Sequence, residues 1–307
     1  MFMSNINSLS SYLPELMVVV TILAVILMES ISKYRSLTFI TTLVGLVFSG
    51  ILLFMTSSVD VALFQGMIVH DSFSLYFKWF ILFSTLSIVL VSKDDNSVMD
   101  SVKGEYYAML LIIMIGMFTM VSARNLLMVY LAIEMVSIPS YIIAGISNND
   151  KESNEASLKY VIYGSFASGI MLFGLSILYG ISGSMDIAII AEAIKSLDSS
   201  LAIYVAMLFI LVGFGYKISM VPFHYWTPDV YQGSPITVTA FLSVAPKAAG
   251  FAILIRFFYS VFTVGPPSMA NNSEVLGLDW TLLIAVMSAL TMTVGNVLAL
   301  KQTNIKR

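Results

Sequence analysis

Val205-Ala-Met-Leu-Phe-Ile-Leu-Val-Gly213-Phe-Gly215-Tyr-Lys217-Ile-Ser-Met-Val-Pro222 is an apolar run that ends on a lysine, with a proline five residues further on. A second run, Met128-Val-Tyr-Leu-Ala-Ile-Glu134-Met-Val, carries a glutamate in the same relation to Pro139. A third, Leu242-Ser-Val-Ala-Pro246-Lys247-Ala-Ala-Gly250, holds a lysine directly after its proline. A charge at the centre of a membrane helix costs roughly 2.5–3.5 kcal/mol on insertion scales, so such residues face a bundle interior and mark ion or proton pathways. A helix-interior proline frees the carbonyl one turn earlier: Met135 for Pro139, Ile218 for Pro222, Leu242 for Pro246. Freed carbonyls at membrane depth persist only where protein or water satisfies them. Each charge is therefore expected beside a break that admits water, the way transporters build midplane sites.

Working outward, composition fixes the environment. Of 307 residues, 58% are hydrophobic and 11% charged, an apolar excess that no soluble domain of this size hides. Stretches of about 20 apolar residues, the length that spans a bilayer, recur near 14–31, 37–56, 73–92, 106–122, 124–146, 157–182, 200–219, 235–263 and 278–300. The expected fold is an all-α membrane protein, a polytopic bundle of about nine spans with a broken helix near Lys217. Residues 187–198 are apolar on one face and too short to span, which predicts an interfacial amphipathic helix. No basic residue precedes the first apolar stretch, so that stretch is expected to be a true span and not a cleaved signal.

Counted alternately, the loops place Lys33, Arg35, Lys93, Lys103, Lys151, Lys159, Lys301, Lys306 and Arg307 on one side, and only Arg124 and Lys195 on the other. Basic loops stay cytoplasmic, which predicts an outside N-terminus and a cytoplasmic C-terminal end for this sequence. The absence of cysteine excludes disulfides and thiolate-held clusters on these residues. His70 and His224 are too few for a metal site, and the net charge of −3 gives no sign of a nucleic-acid partner.

Each ionisable residue also has a plainer reading. Lys159 and Arg256 lie near span ends, where long side chains reach headgroups. Arg124 reads as an interfacial anchor at a tight turn. Glu134 sits too deep to do the same, and a structural ion pair with Lys217 is the competing explanation. Ser219 to Pro235 packs three prolines, a histidine, an aspartate and several aromatics between two spans. Tyr225, Trp226 and Tyr231 fit an aromatic belt, whereas His224, seven residues beyond Lys217, is a candidate proton relay because its unperturbed pKa lies near neutrality. Gly213-Phe-Gly215 is no nucleotide loop, since Ile218 stands where a third glycine belongs.

In order along the chain, Leu13-Pro14-Glu15, Tyr130-Leu-Ala-Ile-Glu134, Leu158-Lys159-Tyr160, Lys217-x4-Pro222-Phe-His224-x-Trp226-x-Pro228-Asp229-x-Tyr231, Pro246-Lys247-Ala-Ala and Asn304-Ile-Lys-Arg307 resemble subunit N (subunit 2 in organelles) of proton-pumping NADH–quinone oxidoreductase, respiratory complex I. That antiporter-like family is related to Mrp-type cation/proton antiporters. The resemblance implies an inverted repeat of two five-helix units after three accessory helices: 1–105 accessory, 106–263 the first unit, and 264–307 the start of a second, incomplete unit. It implies a charge pair at Glu134 and Lys217, further relay lysines at Lys159 and Lys247, and transfer of a proton from Lys217 towards Lys247 when the pair separates. It also implies that NAD, FMN, iron–sulfur clusters and quinone serve the whole complex with no cofactor on this chain. Implied partners are other membrane-arm subunits, neighbouring antiporter-like subunits among them, in a bacterial inner membrane. Members of that family continue beyond Asn-Ile-Lys-Arg, so the second broken helix is expected outside this sequence. Three alternatives remain open: a cation/proton antiporter subunit, a subunit of a hydrogenase-related complex, and a purely structural membrane subunit.

Overall fold

The computed structural model describes residues 5–31, 36–56, 60–95, 98, 102–147, 150–196, 201–263, 274–275 and 278–307. The basic loop residues Lys33 and Arg35 lie outside them. Among the described residues, nine helices are long and apolar enough to cross a membrane. A short helix α1 (Asn5–Ser11) precedes three of these, α2 (Leu13–Ser30), α3 (Thr38–Met55) and α4 (Ser72–Ser92). Between α3 and α4, strands β1 (Val61–Leu63) and β2 (Ile68–His70) pair antiparallel, with Val61 opposite His70. The next spans are α5 (Lys103–Ser122), α6 (Leu126–Ala144) and α7 (Lys151–Ser182). They are followed by the short α8 (Ile187–Lys195), the span α9 (Leu201–Ile218), the short α10 (Trp226–Gly233) and the span α11 (Ile236–Phe262). A two-residue pairing of β3 (Glu274–Val275) with β4 (Leu278–Asp279) leads into the last span, α12 (Trp280–Leu300).

Every span expected from apolar run length is present, because a stretch of about 20 apolar residues can satisfy its backbone in lipid only as a helix. Side-chain oxygens set several starts: Asp71 accepts from Ser74 N, Asn125 from Leu127 N, Asp150 from Glu152 N and Asp186 from Ala188 N. The expected amphipathic segment is α8, with Ile187, Ile190, Ala191 and Ile194 buried on one stripe. α5 is the most enclosed span and forms the axis of the bundle, packed by α2, α4, α6 and α11. α12 buries none of its residues. α6 comes against α5 at Gly116, where a Cβ would lie 2.8 Å from Val136 Cγ2, so only glycine permits that approach.

Contacts at the two ends show how the spans alternate. At one end Thr237 donates to Asp95 (2.7 Å), Lys159 pairs with Asp229 (2.6 Å), and Lys306 donates to the Ser234 carbonyl (2.9 Å). At the other, Arg256 pairs with Asp71, Arg124 N donates to the Met67 carbonyl and Leu126 N to the Met185 carbonyl. Arg124 thus sits at a tight turn, its backbone stitched to the β1–β2 hairpin and to the start of α8.

Two expectations are corrected. Pro139 and Pro246 do not interrupt their helices; α6 and α11 run through them without a break. Around Pro139, Ser137 and Ser140 donate to the Ile133 and Val136 carbonyls (2.7 and 2.6 Å), on either side of the turn whose Met135 carbonyl the proline leaves without its helical donor. Arg256 does not reach outward to headgroups. Its guanidinium turns in, forks onto both Asp71 oxygens (2.9 and 2.7 Å) and donates through Nε to the Val121 carbonyl. A planar fork matched by a carboxylate outweighs snorkelling, which gives it only water and lipid.

Candidate functional site

Of the three proline-associated charges, only Lys217 stands at a true break. α9 ends at Ile218, and Ser219 takes a left-handed conformation (φ +59°), which costs a non-glycine residue roughly 1–2 kcal/mol and stops the helix. The chain then turns through a cis Val221–Pro222 bond and re-enters helix at Trp226. Ser219 Oγ accepts from the Thr227 hydroxyl (2.8 Å), Met220 N donates to the Gly215 carbonyl (2.8 Å), and Val221 N donates to Thr291 on α12 (3.1 Å). These contacts satisfy part of the backbone that the break exposes.

An aromatic cluster fixes the break from the α7 side. Trp226 is buried, donates through Nε1 to the Tyr216 carbonyl (3.1 Å) and stacks on Tyr160 at 4.5 Å with planes 9° apart. Tyr216 donates to the Tyr160 carbonyl (3.1 Å), and Tyr141 meets Tyr160 edge-on at 4.7 Å. Trp226 and Tyr231 are therefore interior residues and not members of an aromatic belt; Tyr225, 66% exposed, faces outward.

Lys217 is 3% exposed, and its ammonium donates to Ser137 Oγ at 3.0 Å. Ser137 in turn donates to the Ile133 carbonyl, so its hydroxyl links lysine and helix. Glu134 lies one turn before Ser137 on the same helix. No direct ion pair joins Glu134 to Lys217 among the described residues: Glu134 Oε1 is buried and without a hydrogen-bond partner, although its charge lies within electrostatic reach of the lysine. Gly250 of α11 makes room for this arrangement, since a Cβ there would meet Ile218 Cγ2 at 2.8 Å and Lys217 Cγ at 3.4 Å. The geometry holds a buried cation on a hydroxyl with a carboxylate one turn away, two alternative partners for one ammonium.

The other expected residues are spread along the bundle. Lys247, partly buried on α11, has its ammonium 5.4 Å from the Tyr231 ring centroid, a cation–π contact, and no carboxylate pairs with it among the described residues. Tyr231 OH is itself buried without a hydrogen-bond partner. His224 lies in the break, stacks on Tyr225 at 4.6 Å, and keeps both ring nitrogens buried and unpartnered. Lys159 stands at the polar end, 36% exposed, between Glu155 (2.7 Å) and Asp229 (2.6 Å), with Arg307 on the other Asp229 oxygen (2.9 Å). Among the described residues, no hydrogen bond, ion pair or ring contact joins Lys159 or His224 to Lys217.

Sequence reasoning missed Ser137, and its place three residues after Glu134, on the same face, was the available signal. It also missed two ion pairs. Glu15 and Lys78 meet at 2.6 Å with side chains 1% and 2% exposed. Asp71, which Arg256 grips, forms a capping box with Ser74 at the start of α4, and Asp71-x-x-Ser74 ahead of an apolar run was the legible half of that pair.

A bundle with nine helices long and apolar enough to cross a membrane among the described residues is an integral membrane protein, and this one buries ionisable residues around a broken span. The model of the family described as "NADH:quinone oxidoreductase/Mrp antiporter, TM" matches residues 123–307, and the chain belongs to that family. Among similar proteins, NADH-quinone oxidoreductase subunit N of Anaeromyxobacter sp. is 44% identical over 257 residues, covering 80% of this chain and 49% of that one. Subunit N 2 of Chloroherpeton thalassium is 41% identical over 305 residues, covering 97% and 59%. The chain thus spans about half to three fifths of the length of these curated relatives. A chain in the structure of respiratory complex I from Thermus thermophilus with bound Aureothin superimposes with a TM-score of 0.76 at 29% identity, covering 95% of this chain and 60% of that chain. A chain of the membrane-bound sulfane sulfur reductase, an archaeal respiratory membrane complex, gives the same TM-score at 20% identity, a likeness of fold alone.

Proposed function

We propose that the chain is a membrane-arm subunit of an NADH–quinone oxidoreductase and moves protons across the bilayer, driven by electron transfer from NADH to quinone on other subunits. The observation that carries this is Lys217: fully buried at the end of a broken helix, held by Ser137, with the Glu134 carboxylate one turn away. Transfer of the ammonium between Ser137 and Glu134 changes how tightly Lys217 holds its proton, because a buried charge is stabilised chiefly by its partner. A redox-linked movement elsewhere in the complex would work that switch. Lys247 would receive the proton, and its aromatic partner Tyr231 offers no counter-charge to trap it. Lys159, matched by Glu155 and Asp229, would load protons at the polar end, and His224 would serve the break.

In this reading residues 106–263 are the first five-helix unit of an inverted repeat, 1–105 are accessory helices, and 264–307 open a second unit. NAD, FMN, iron–sulfur clusters and quinone belong to partner subunits. The end that carries Lys93, Lys103, Lys159 and Arg307 faces the cytoplasm of a bacterial plasma membrane. Neighbouring antiporter-like subunits share the membrane arm.

The test is reconstitution of the full complex in vesicles with sodium-free and sodium-containing media. The reading expects NADH-driven acidification of the lumen that does not depend on sodium and that falls in Glu134→Gln and Lys217→Met variants with quinone reduction still measurable. Sodium-dependent uptake of the same size would transfer the chain to the cation-exchange reading.

A further inference from the structure

Away from the broken helix lies a second buried set of ionisable groups. Glu15, in the first turn of α2, meets Lys78 of α4 at 2.6 Å, and both side chains are almost wholly enclosed. His70 closes β2 above them, 3% exposed. Its Nε2 lies 2.9 Å from the Thr56 carbonyl, so Nε2 carries the hydrogen and Nδ1 is left as the free base. That Nδ1 is buried without a protein partner, and so is Glu15 Oε2. His70 lies within electrostatic reach of both Glu15 and Lys78. A pair serving only to pack α2 on α4 would have its remaining lone pairs satisfied by donors, because burying an unpaired acceptor costs free energy that no contact returns. Here two proton acceptors, on two different elements, stand unfilled, one paired through its other oxygen with the Lys78 ammonium and the other within its electrostatic reach.

Among the described residues of the same elements and their flanks, Asp60 before β1, Arg124 after α5 and Tyr76 of α4 are exposed, and Glu29 lies at the far end of α2. Before α2, Tyr12 has its phenol pushed up to about 12 by burial and by the Glu15 charge, so it stays protonated. At the start of α4, Asp71 is taken by Arg256 of α11. α1 and α3 contain no ionisable side chain, and those of α5 (Lys103, Glu105, Tyr106, Tyr107) lie in its first turns, at the far end of the helix from Phe118, whose ring faces the Lys78 ammonium at 5.9 Å. The set is roofed by the hairpin, where Phe64 N donates to Ser8 (3.0 Å) and Tyr12 meets Phe64 edge-on at 5.3 Å.

We propose that Glu15, Lys78 and His70 form a second proton-exchange site, which binds one proton, carried by water, between Glu15 Oε2 and His70 Nδ1 beneath the β1–β2 hairpin. Lys78 holds the site's resting charge balance against Glu15. His70, which burial and the Lys78 charge keep below its ordinary pKa, is neutral at rest and available as the acceptor. The site lies at the end of the bundle opposite Lys159.

The test reads protonation itself and not pumping. Infrared difference spectra of the assembled full-length protein in vesicles, taken between pH 8 and pH 5, should contain a protonated-carboxyl band that Glu15→Gln removes. His70→Gln keeps a donor for Thr56 and removes the base, and should move the midpoint of that band by about one pH unit, a tenfold change in proton affinity. If Glu15→Gln fails to assemble, Glu15→Gln with Lys78→Met leaves no unpaired charge and should lose the same band. The band should persist in Lys217→Met, which keeps this result separate from the fate of the broken-helix reading. An unchanged spectrum in the Glu15 variants, or an unmoved midpoint in His70→Gln, would establish a static pair and overturn the proposal.

Discussion

Replacing Asp71 by Asn tests the ion pair that ties the start of α4 to α11. The Arg256 guanidinium forks onto Asp71 at 2.9 and 2.7 Å, with side chains 11% and 23% exposed, and packs over the Phe73 ring at 4.9 Å. Removing one partner of a buried pair costs about 3–5 kcal/mol. The partial exposure of Asp71 puts this pair at the lower end, about 3 kcal/mol. Loss of the carboxylate cap to Ser74 N adds at most about 1 kcal/mol, because Asn still caps. In a cycle of Asp71→Asn, Arg256→Met and the double change, unfolding in mixed micelles should show a coupling of about 2–3 kcal/mol. The pH dependence carries a definite sign. Burial alone would raise the Asp71 pKa, but hydrogen bonds and charge from Arg256, with Ser74, overcome it and hold it below the ordinary carboxylate value. A depressed folded-state pKa stabilises the fold fully above the unfolded value of about 3.9, and that stabilisation is lost as pH falls through the folded value. Wild type should therefore lose more stability than Asp71→Asn between pH 5 and pH 3. A coupling below about 0.5 kcal/mol, or parallel pH profiles, would refute the argument.

Three further outcomes follow from the geometry. Cysteines at Asp60 and Asp94, both exposed, should react with an impermeant thiol reagent from opposite faces; the loop serines 58 and 97, equally natural probes, lie outside the described residues. Gly250→Leu should drive Ile218 and Lys217 aside, cost about 1–3 kcal/mol in thermal unfolding and depress proton transport, whereas Gly169→Leu, with open space around it, should do neither. Lys247→Arg keeps a charge over Tyr231 but cannot release its proton, so it should block transport nearly as well as Lys247→Met; normal transport in Lys247→Arg would make the residue a fixed charge.

The spans were legible because length and apolarity alone force a helix in lipid, and α2 to α12 follow the apolar runs to within a few residues at nearly every end. α7 is the exception: its start at Lys151 extends into a polar segment that hydropathy cannot assign, capped by Asp150. The break after Lys217 was legible from the proline cluster at 222–235, but proline alone misled at 139 and 246, where α6 and α11 run on as helix. Glu134 and Lys217 stood out as deep charges. Ser137 between them did not: its spacing from Glu134 puts it on the same face, but only the neighbour across the interface shows that its hydroxyl meets Lys217. The pairs Glu15–Lys78 and Asp71–Arg256 join elements far apart in sequence, and no local pattern shows which charge meets which. Arg256 in particular reads as a snorkelling residue until Asp71 is seen opposite it.

The account rests on Lys217 releasing and regaining a proton, and the proton yield per electron is the most direct measure of that. In vesicles with the complete complex, proton uptake and NADH oxidation should be recorded together for wild type, Lys217→Met, and Lys217→Met with Glu134→Gln. Against a potential of about 150 mV each proton moved requires about 3.5 kcal/mol, which a chain without its titrating lysine cannot relay. The account predicts that both variants assemble, the double change leaving no buried charge without a partner, and that the proton yield of the double variant stays as low as in Lys217→Met. A double variant that assembles and pumps at the wild-type yield would contradict it.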